Sequence, residues 1–389
     1  ISLGIDVCDL GLSTTPTVEL MVTELMADGG IIITASHNPS EWNALKLLDS
    51  KGEFLNAHSG NEIVSISEND DYDFTGVYDL GIINKVNDTM QIHINSVLNL
   101  KLVNTEEIRK HKLKVVVDGV NSTGGIIVPL LLKQLNIKFE TIHCEPTGHF
   151  AHNPEPLKKN LLDLSNKVIE FGADLGIAVD PDVDRLVFIC ENGEIFGEEN
   201  TLVACSDYVL SKTPGFTVSN LSSTRALRDV TEKHGQSYFA SAVGEVNVVN
   251  QMKECNAVIG GEGNGGVIYP ESHYGRDAIV GIGLFLSLLV EKNMKVSELL
   301  STYPKYYMVK EKINLSKEID VDNILINLAS KYSKDNINEI DGLKIDFKES
   351  WVHLRKSNTE PIIRIYSEAL TEDKANRLVD QIKNDIKSC

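Results

Sequence analysis

The chain has no uninterrupted apolar run approaching the roughly 18 residues that a membrane-spanning helix needs, so no stretch of it reads as a transmembrane segment. Basic residues are scarce relative to acidic ones: 37 Lys and Arg stand against 56 Asp and Glu, a formal net charge of −19. A surface of that sign repels a phosphate backbone, which excludes nucleic acid as the expected partner. Cysteines number six, at positions 8, 144, 190, 205, 255 and 389, far apart and without paired metal-ligand spacing. They read as reduced thiols of a cytoplasmic protein. A secretory-leader pattern is also missing, and Ile1 stands where a methionine would. The expectation is a first domain that lacks its beginning.

What is present is length. At roughly 100 to 200 residues per domain, the 389 residues suggest two to four domains. The most informative stretch runs from Gly30 to Lys46, GIIITASHNPSEWNALK. Ile31, Ile32 and Ile33 predict a short buried parallel strand. The chain then turns polar through Thr34, Ala35, Ser36, His37, Asn38 and Pro39, and the Asn-Pro step forces the backbone out of the strand. Ser36 is left at the strand's C-terminal end beside His37. By position alone, such a serine is most often a helix N-cap. Upstream, Thr15 can cap a helix with Pro16 at its first position and Val18, Met21, Val22 and Leu25 on one face. Helix and strand together read as half of a βαβ unit.

Further on, an apolar strand followed by a loop of small polar residues recurs four times: KVVVDGVNSTGG from Lys114, DLGIAVDPDVD from Asp174, FTVSNLSSTRAL from Phe216 and NAVIGGEGNGG from Asn256. Open α/β sheets bind ligands at the C-terminal ends of their strands, so these loops are expected to face a common cleft. Residues 56–75 read as a surface helix and loop, and Gln91 to Lys112 as helix ending in a charged domain junction. From about Met308 the pattern becomes strand, helix (Val321 to Tyr332), two strands around Gly342 and Trp351, a further strand and a final helix, a small α+β domain. The fold expectation is therefore a multidomain α/β protein with repeated mixed sheets around a central cleft. Its divisions are 1–100, 101–200, 201–307 and a C-terminal α+β domain at 308–389.

Asp180, Asp182 and Asp184 alternate in DPDVDR, so in an extended loop their carboxylates project to one side. Three hard oxygens after a buried strand suit Mg²⁺. An EF-hand loop fails, because its sixth position is Arg185 instead of glycine and Leu186 to Cys190 form an apolar strand. A haloacid-dehalogenase-type phosphatase, with Asp180 as nucleophile and Asp182 as acid/base, fits DPDV but leaves TASHNP and RKSNTEP without a role. Arg185 stands ready to add a positive contact. Lys46, ten residues past Ser36, is by default a surface lysine. Gly260 to Gly266, GGEGNGG, is by default a tight turn carrying Glu262 and Asn264. RKSNTEP, from Arg355 to Pro361, gathers guanidinium, hydroxyl and amide donors in one turn, a good cup for a phosphate dianion.

The hexapeptide TASHNP resembles the active-serine motif of the α-D-phosphohexomutases, and the likeness continues over the whole chain through the motifs at Asp180, Glu262 and Arg355. That resemblance implies a phosphoserine at Ser36 that passes its phosphoryl group to a hexose and recovers the other phosphate from a hexose 1,6-bisphosphate intermediate. It implies Mg²⁺ held by Asp180, Asp182, Asp184 and the phosphoserine oxygen, with His37 and Lys46 as acid/base or electrostatic residues. Glu262 and Asn264, with Gly244 and Glu245 from VGEVNV, would contact the sugar. Arg355, Ser357, Asn358 and Thr359 would grip the non-reacting phosphate. Asn264, Gly265 and Gly266 replace the serine, glycine and histidine of many bacterial members, a version similar to the archaeal phosphoglucosamine mutase branch. The expected reaction is glucosamine 6-phosphate to glucosamine 1-phosphate, with phosphoglucose or phosphomannose as the alternative and a non-catalytic sugar-phosphate binder as the reading of another class. Oligomeric state is left open.

Overall fold

The computed structural model describes residues 1–38, 42–314, 321–356 and 362–388. The first unit contains β1 (Val7–Asp9), α1 (Thr15–Glu24), β2 (Gly30–Ile33), β3 (Leu45–Leu48), α2 (Ala57–Glu68) and β4 (Ile83–Lys85). Two expectations change here. β2 pairs antiparallel with β3 instead of entering a parallel sheet, and Ile31 and Ile33 are 65% and 72% exposed while Ile32 is buried. A β-branched run predicts a strand but not its partner or how many of its faces are covered. The α1 cap is Thr14, whose Oγ1 accepts from Thr17 N at 3.2 Å. Thr15, the expected cap, is instead the first residue of the helix, one position past the observed cap, and its hydroxyl is thereby freed to point elsewhere.

The second unit opens with α3 (Thr89–Leu98) and α4 (Thr105–His111), two helices where one segment was expected. It continues with β5 (Lys114–Asp118), α5 (Gly124–Gln134), β6 (Lys138–Ile142), α6 (Leu162–Phe171), β7 (Leu175–Val179) and β8 (Leu186–Cys190). The third unit holds α7 (Glu198–Lys212), β9 (Thr217–Asn220), α8 (Ala226–Lys233), β10 (Tyr238–Ser241), α9 (Glu245–Cys255), β11 (Ile259–Glu262), β12 (Gly266–Ile268), α10 (Ala278–Lys292) and α11 (Val296–Ser301). Their sheets run β6-β5-β7-β8 and β10-β9-β11-β12. In each, three strands are parallel and the fourth closes as an antiparallel edge hairpin. Architectural repetition is thus real although sequence repetition is weak.

One apolar core joins these two units. α10 is buried on all sides from Ala278 to Val290 and lies between them, with Phe285 stacked on Phe188 at 3.8 Å. Truncating either ring to alanine costs ~3–5 kcal/mol by cavity formation. Such a core fixes the β7 and β11 loop ends relative to one another, which is what a shared site needs.

The fourth unit comprises β13 (Tyr307–Asn314), α12 (Val321–Lys331), β14 (Asn336–Asn338), β15 (Leu343–Asp346), β16 (Ser350–Lys356), β17 (Ile362–Ala369) and α13 (Glu372–Ser388). Its antiparallel sheet has the order β13-β17-β16-β15-β14. The unit docks on the third one through Arg225, whose guanidinium reaches Lys348 O at 3.1 Å and Ser350 O at 2.9 Å and also contacts Asp346. Lys344 Nζ donates to Leu221 O at 2.7 Å.

Candidate active site

Ser36 sits just past β2 in the left-handed region, φ 50°, a conformation that costs a non-glycine residue on the order of 1 kcal/mol. Its backbone N–H is tied to Thr34 Oγ1 at 2.9 Å. This turn aims the hydroxyl at Asp180 Oδ2, 3.3 Å away and 144 positions distant in the chain. His37 Nδ1 lies 3.3 Å from the same hydroxyl.

The aspartates follow β7, whose residues from Leu175 to Val179 are all buried. Their loop is not extended, as alternation suggested, but coiled: Val183 has φ 66°, and Asp180 Oδ1 accepts from the backbone N–H groups of Asp184 at 3.1 Å and Arg185 at 3.0 Å. The three carboxylates still converge, with one oxygen of each within 4.8 Å of the others. Burial, and then the charges of Asp184 and Asp182, push Asp180 well above the ordinary carboxylate range. Burial also opposes charge on Asp184, but Arg276, Lys46 and Arg185 outweigh it and hold that carboxyl low. Asp182 Oδ1 and Asp184 Oδ1 are buried without a hydrogen-bond partner. Unpartnered hard oxygens within a converging carboxylate triad, with Ser36 at the rim, fit a divalent hard cation.

Lys46 is no solvated surface lysine. β3 carries its Nζ to 2.6 Å from Asp182 Oδ2 and 3.2 Å from Asp184 Oδ2, and these charges overcome burial and keep it an ammonium. Arg185 Nη2 lies 3.4 Å from His37 Nε2, and its Nη1 lies 3.5 Å from Glu155 Oε1. Burial and Arg185 together lower the basicity of His37.

On the far side stand the glycine-rich hairpin and the β10–α9 turn. Gly244 ends that turn with φ 115°, which only glycine tolerates cheaply, and its N–H donates to Glu262 Oε1 at 3.2 Å. Asn220 Nδ2 reaches the same oxygen at 2.7 Å, and Asn264 Nδ2 reaches Oε2 at 3.3 Å. Glu245 accepts from Arg276 through both the backbone N–H at 2.8 Å and Nε at 3.0 Å. Burial outweighs that arginine and raises the Glu245 carboxyl.

Arg276 was missed from sequence, as was Thr15, whose hydroxyl donates to Asp182 Oδ2 at 2.6 Å. An arginine in a polar loop of an acidic chain, in YGRDA directly before α10, was the available signal. Arg355 lies on β16 with Nε 2.9 Å from Asp341 Oδ2, and that carboxylate accepts from Val243 N at 2.8 Å. It thus borders the Gly244 turn. Ser357, Asn358 and Thr359 lie outside the described residues, as does Pro39. The structure therefore brings Ser36, His37, Lys46, the three aspartates and Arg185 together, with Glu245, Glu262 and Asn264 joined to them through Arg276.

Strand-end loops from three α/β units meeting at a serine and a carboxylate cluster define a phosphoryl-transfer enzyme of multidomain α/β type. The chain matches the descriptions "Phosphoglucomutase/phosphomannomutase, alpha/beta/alpha" domain I over residues 1–73, domain II over 91–193 and domain III over 198–306, and the C-terminal domain over 291–385. It is 36% identical over 384 residues to a phosphoglucomutase/phosphomannomutase of Thermococcus kodakarensis, covering 98% of this chain and 83% of that one. It is 34% identical over 390 residues to a phosphoglucosamine/phosphogalactosamine mutase of Sulfurisphaera tokodaii, covering 98% and 85%. A phosphoglucomutase/phosphomannomutase family structure from Burkholderia thailandensis superposes with a TM-score of 0.86 at 24% identity, over 100% of this chain and 84% of that one. The chain belongs to the phosphoglucomutase/phosphomannomutase family, the α-D-phosphohexomutases. It is an isomerase of the intramolecular phosphotransferase kind and, within the family, phosphoglucosamine mutase-like. Among the described residues no helix is long and apolar enough to cross a membrane.

Proposed function

We propose that Ser36 carries the phosphoryl group and that the preferred reaction is glucosamine 6-phosphate to glucosamine 1-phosphate. One observation carries the first part: the Ser36 hydroxyl stands 3.3 Å from Asp180 at the rim of a buried carboxylate triad. In the first half-reaction the bond from Ser36 Oγ to phosphorus breaks, and a sugar hydroxyl oxygen bonds the phosphorus as it loses its proton. The resulting hexose 1,6-bisphosphate turns over in the cleft, and the second phosphoryl group returns to Ser36. Asp180, Asp182 and Asp184, with the phosphoserine, would hold Mg²⁺, which when bound neutralises charge on the transferring group.

Lys46 and Arg185 bring positive charge to the Ser36 side of the cleft, and His37 is within reach of the hydroxyl to take or give its proton. Glu262 and Asn264, with Gly244 and Glu245, form the wall proposed to read the sugar, and Arg355 with the residues after it to hold the idle phosphate. The five cysteines among the described residues are free thiols, which agrees with a cytoplasmic place of work. A dehalogenase-type role for Asp180 is disfavoured, because one of its oxygens is committed to two backbone N–H groups and the other faces a serine.

The Sulfurisphaera relative's name supports glucosamine, and the Thermococcus relative's name supports glucose or mannose phosphates as the second reading. Peptide mapping for phosphate on Ser36, followed by kcat/KM for glucosamine, glucose and mannose 6-phosphates, tests both parts. A Ser36 peptide that never bears phosphate during turnover overturns the first. Faster conversion of glucose or mannose 6-phosphate overturns the second.

A further inference from the structure

Away from the aspartate triad, β5 and β6 run side by side with Asp118 opposite Ile142. His143, the residue after β6, adopts φ 49° and places Nδ1 3.2 Å from Asp118 Oδ2. His152, on the loop leading to α6, places Nε2 3.0 Å from the same oxygen. The three ligand-type atoms lie within 4.8 Å of one another. The Asp118 side chain is 1% exposed, while the rings are 24% and 16% exposed, so the cluster is anchored below and reachable from above.

The donors and acceptors leave a place for positive charge at this point, a proton or a metal ion. Asp118 Oδ1 already accepts from Val120 N at 3.0 Å, so Oδ2 alone serves both rings. His152 Nδ1 faces the Asn153 carbonyl at 2.8 Å and must carry its hydrogen. In a neutral ring Nε2 then offers a lone pair to a carboxylate oxygen, a contact that either a proton or a metal ion between the two atoms satisfies. His143 Nε2, on the side away from Asp118, faces Asp163 Oδ2 at 3.9 Å. A remote ring nitrogen turned toward an oxygen acceptor is the usual arrangement of metal-bound histidines. The 3.2 and 3.0 Å separations from Asp118 Oδ2 also fit bonds of ~2.0–2.1 Å at angles of about 95–105° around one ion.

We propose that Asp118, His143 and His152 form a binding site for a borderline divalent metal of the Zn²⁺ class, separate from the all-carboxylate site beside Ser36. Two imidazoles and one carboxylate select Zn²⁺ or Co²⁺ over Mg²⁺, which prefers oxygen alone. The same loop carries Glu155, which touches Arg185, which in turn touches His37. Metal at this site pins the loop that supports the phosphoserine side of the cleft.

The test uses the whole chain with Mg²⁺ in saturating excess, titrated with Zn²⁺ against a chromophoric chelator and with Co²⁺ followed by its d–d absorption. The expected result is one Zn²⁺ equivalent at micromolar affinity or tighter and a Co²⁺ spectrum showing nitrogen ligation. His143→Gln and His152→Gln each weaken binding at least tenfold, His152→Cys recovers most of it, and Asp180→Asn leaves it unchanged. Wild-type protein that takes up Zn²⁺ only at millimolar concentration overturns the proposal. So does a Zn²⁺ equivalent lost in Asp180→Asn but kept in both histidine variants. Should the glutamine variants fail to fold, the wild-type Co²⁺ spectrum and the cysteine variant decide alone: oxygen-only ligation, with no sulfur charge-transfer band in His152→Cys, counts against the site.

Discussion

Arg276 Nη2 donates to Asp184 Oδ2 at 2.7 Å, joining the aspartate loop after β7 to the segment before α10. The same guanidinium reaches Glu245 at 3.0 Å and Glu262 at 2.6 Å, so one buried cation holds three buried acids. Removing it leaves buried Glu245 and Glu262 without this charged partner and Asp184 dependent on Lys46 and Arg185. Arg276→Met is expected to cost ~3–5 kcal/mol in urea unfolding. Arg276→Lys should recover only part, because a point charge cannot satisfy three separated carboxylates at once. A loss below about 1 kcal/mol for the methionine variant would mean that the knot contributes little.

Ser36→Ala is expected to abolish phosphate incorporation and to lower turnover roughly 10³-fold or more, ~4 kcal/mol of barrier, with the far-UV circular dichroism spectrum unchanged. Because φ is 50° at this position, Ser36→Gly should be more stable than Ser36→Ala by up to about 1 kcal/mol. Thermal melts of the two variants measure that difference. Equal or reversed stability would argue that the turn is unstrained.

Mg²⁺ titration should raise the melting temperature of the wild-type chain, with ~2.7 kcal/mol of stabilisation at a hundredfold excess over Kd. Asp180→Asn and Asp182→Asn should lose that increment. Without metal, Asp180→Asn should be no less stable than wild type, since its amide oxygen can still accept from the Asp184 and Arg185 N–H groups and burial already disfavours the carboxylate. Scanning calorimetry with and without Mg²⁺ gives both answers.

His353 offers a pH-dependent seam between the third and fourth units. Its Nε2 donates to Asp341 O at 2.7 Å and its Nδ1 lies 2.9 Å from Ser222 Oγ, whose hydroxyl donates to it when the ring is neutral. Burial, reinforced by the Lys344 charge, holds its pKa down to about 4, against about 6.5 in an unfolded chain. A depressed histidine contributes stability that is whole above the unfolded value and fades as pH falls from about 6.5 toward the folded value, ~3 kcal/mol in all. His353→Gln should therefore be less stable than wild type at pH 7.5, with the gap closing as pH approaches the folded value. A gap that stays constant in urea unfolding across that range would show that the ring does not titrate with folding.

Much of this was legible in the chain itself. Short apolar strands ending in small polar loops come from local patterning, so β5, β7, β9 and β11 and their loops could be placed without coordinates, as could the C-terminal α+β unit. The DPDVDR aspartates stood out because carboxylates are costly at the end of a buried strand, and Ser36 through the TASHNP hexapeptide, not through its position alone. Pairing direction was less legible: Ile31 and Ile33 look like core residues, yet β2 exposes both.

By itself, then, the sequence determined which segments become strands and which loops carry reactive side chains, because backbone periodicity and burial act over a few residues. Only the tertiary structure decided which of those loops meet. The contacts of Ser36 with Asp180, Lys46 with Asp182, Thr15 with Asp182 and Arg276 with Asp184 span 144, 136, 167 and 92 positions. The last is fixed by how α10 and the shared core set one sheet against the next, and the first three by the docking of α1, where Thr15 N–H donates to Asp182 O at 2.9 Å and Thr17 Oγ1 meets buried His93 Nδ1 at 2.9 Å; neither geometry is written in any local pattern.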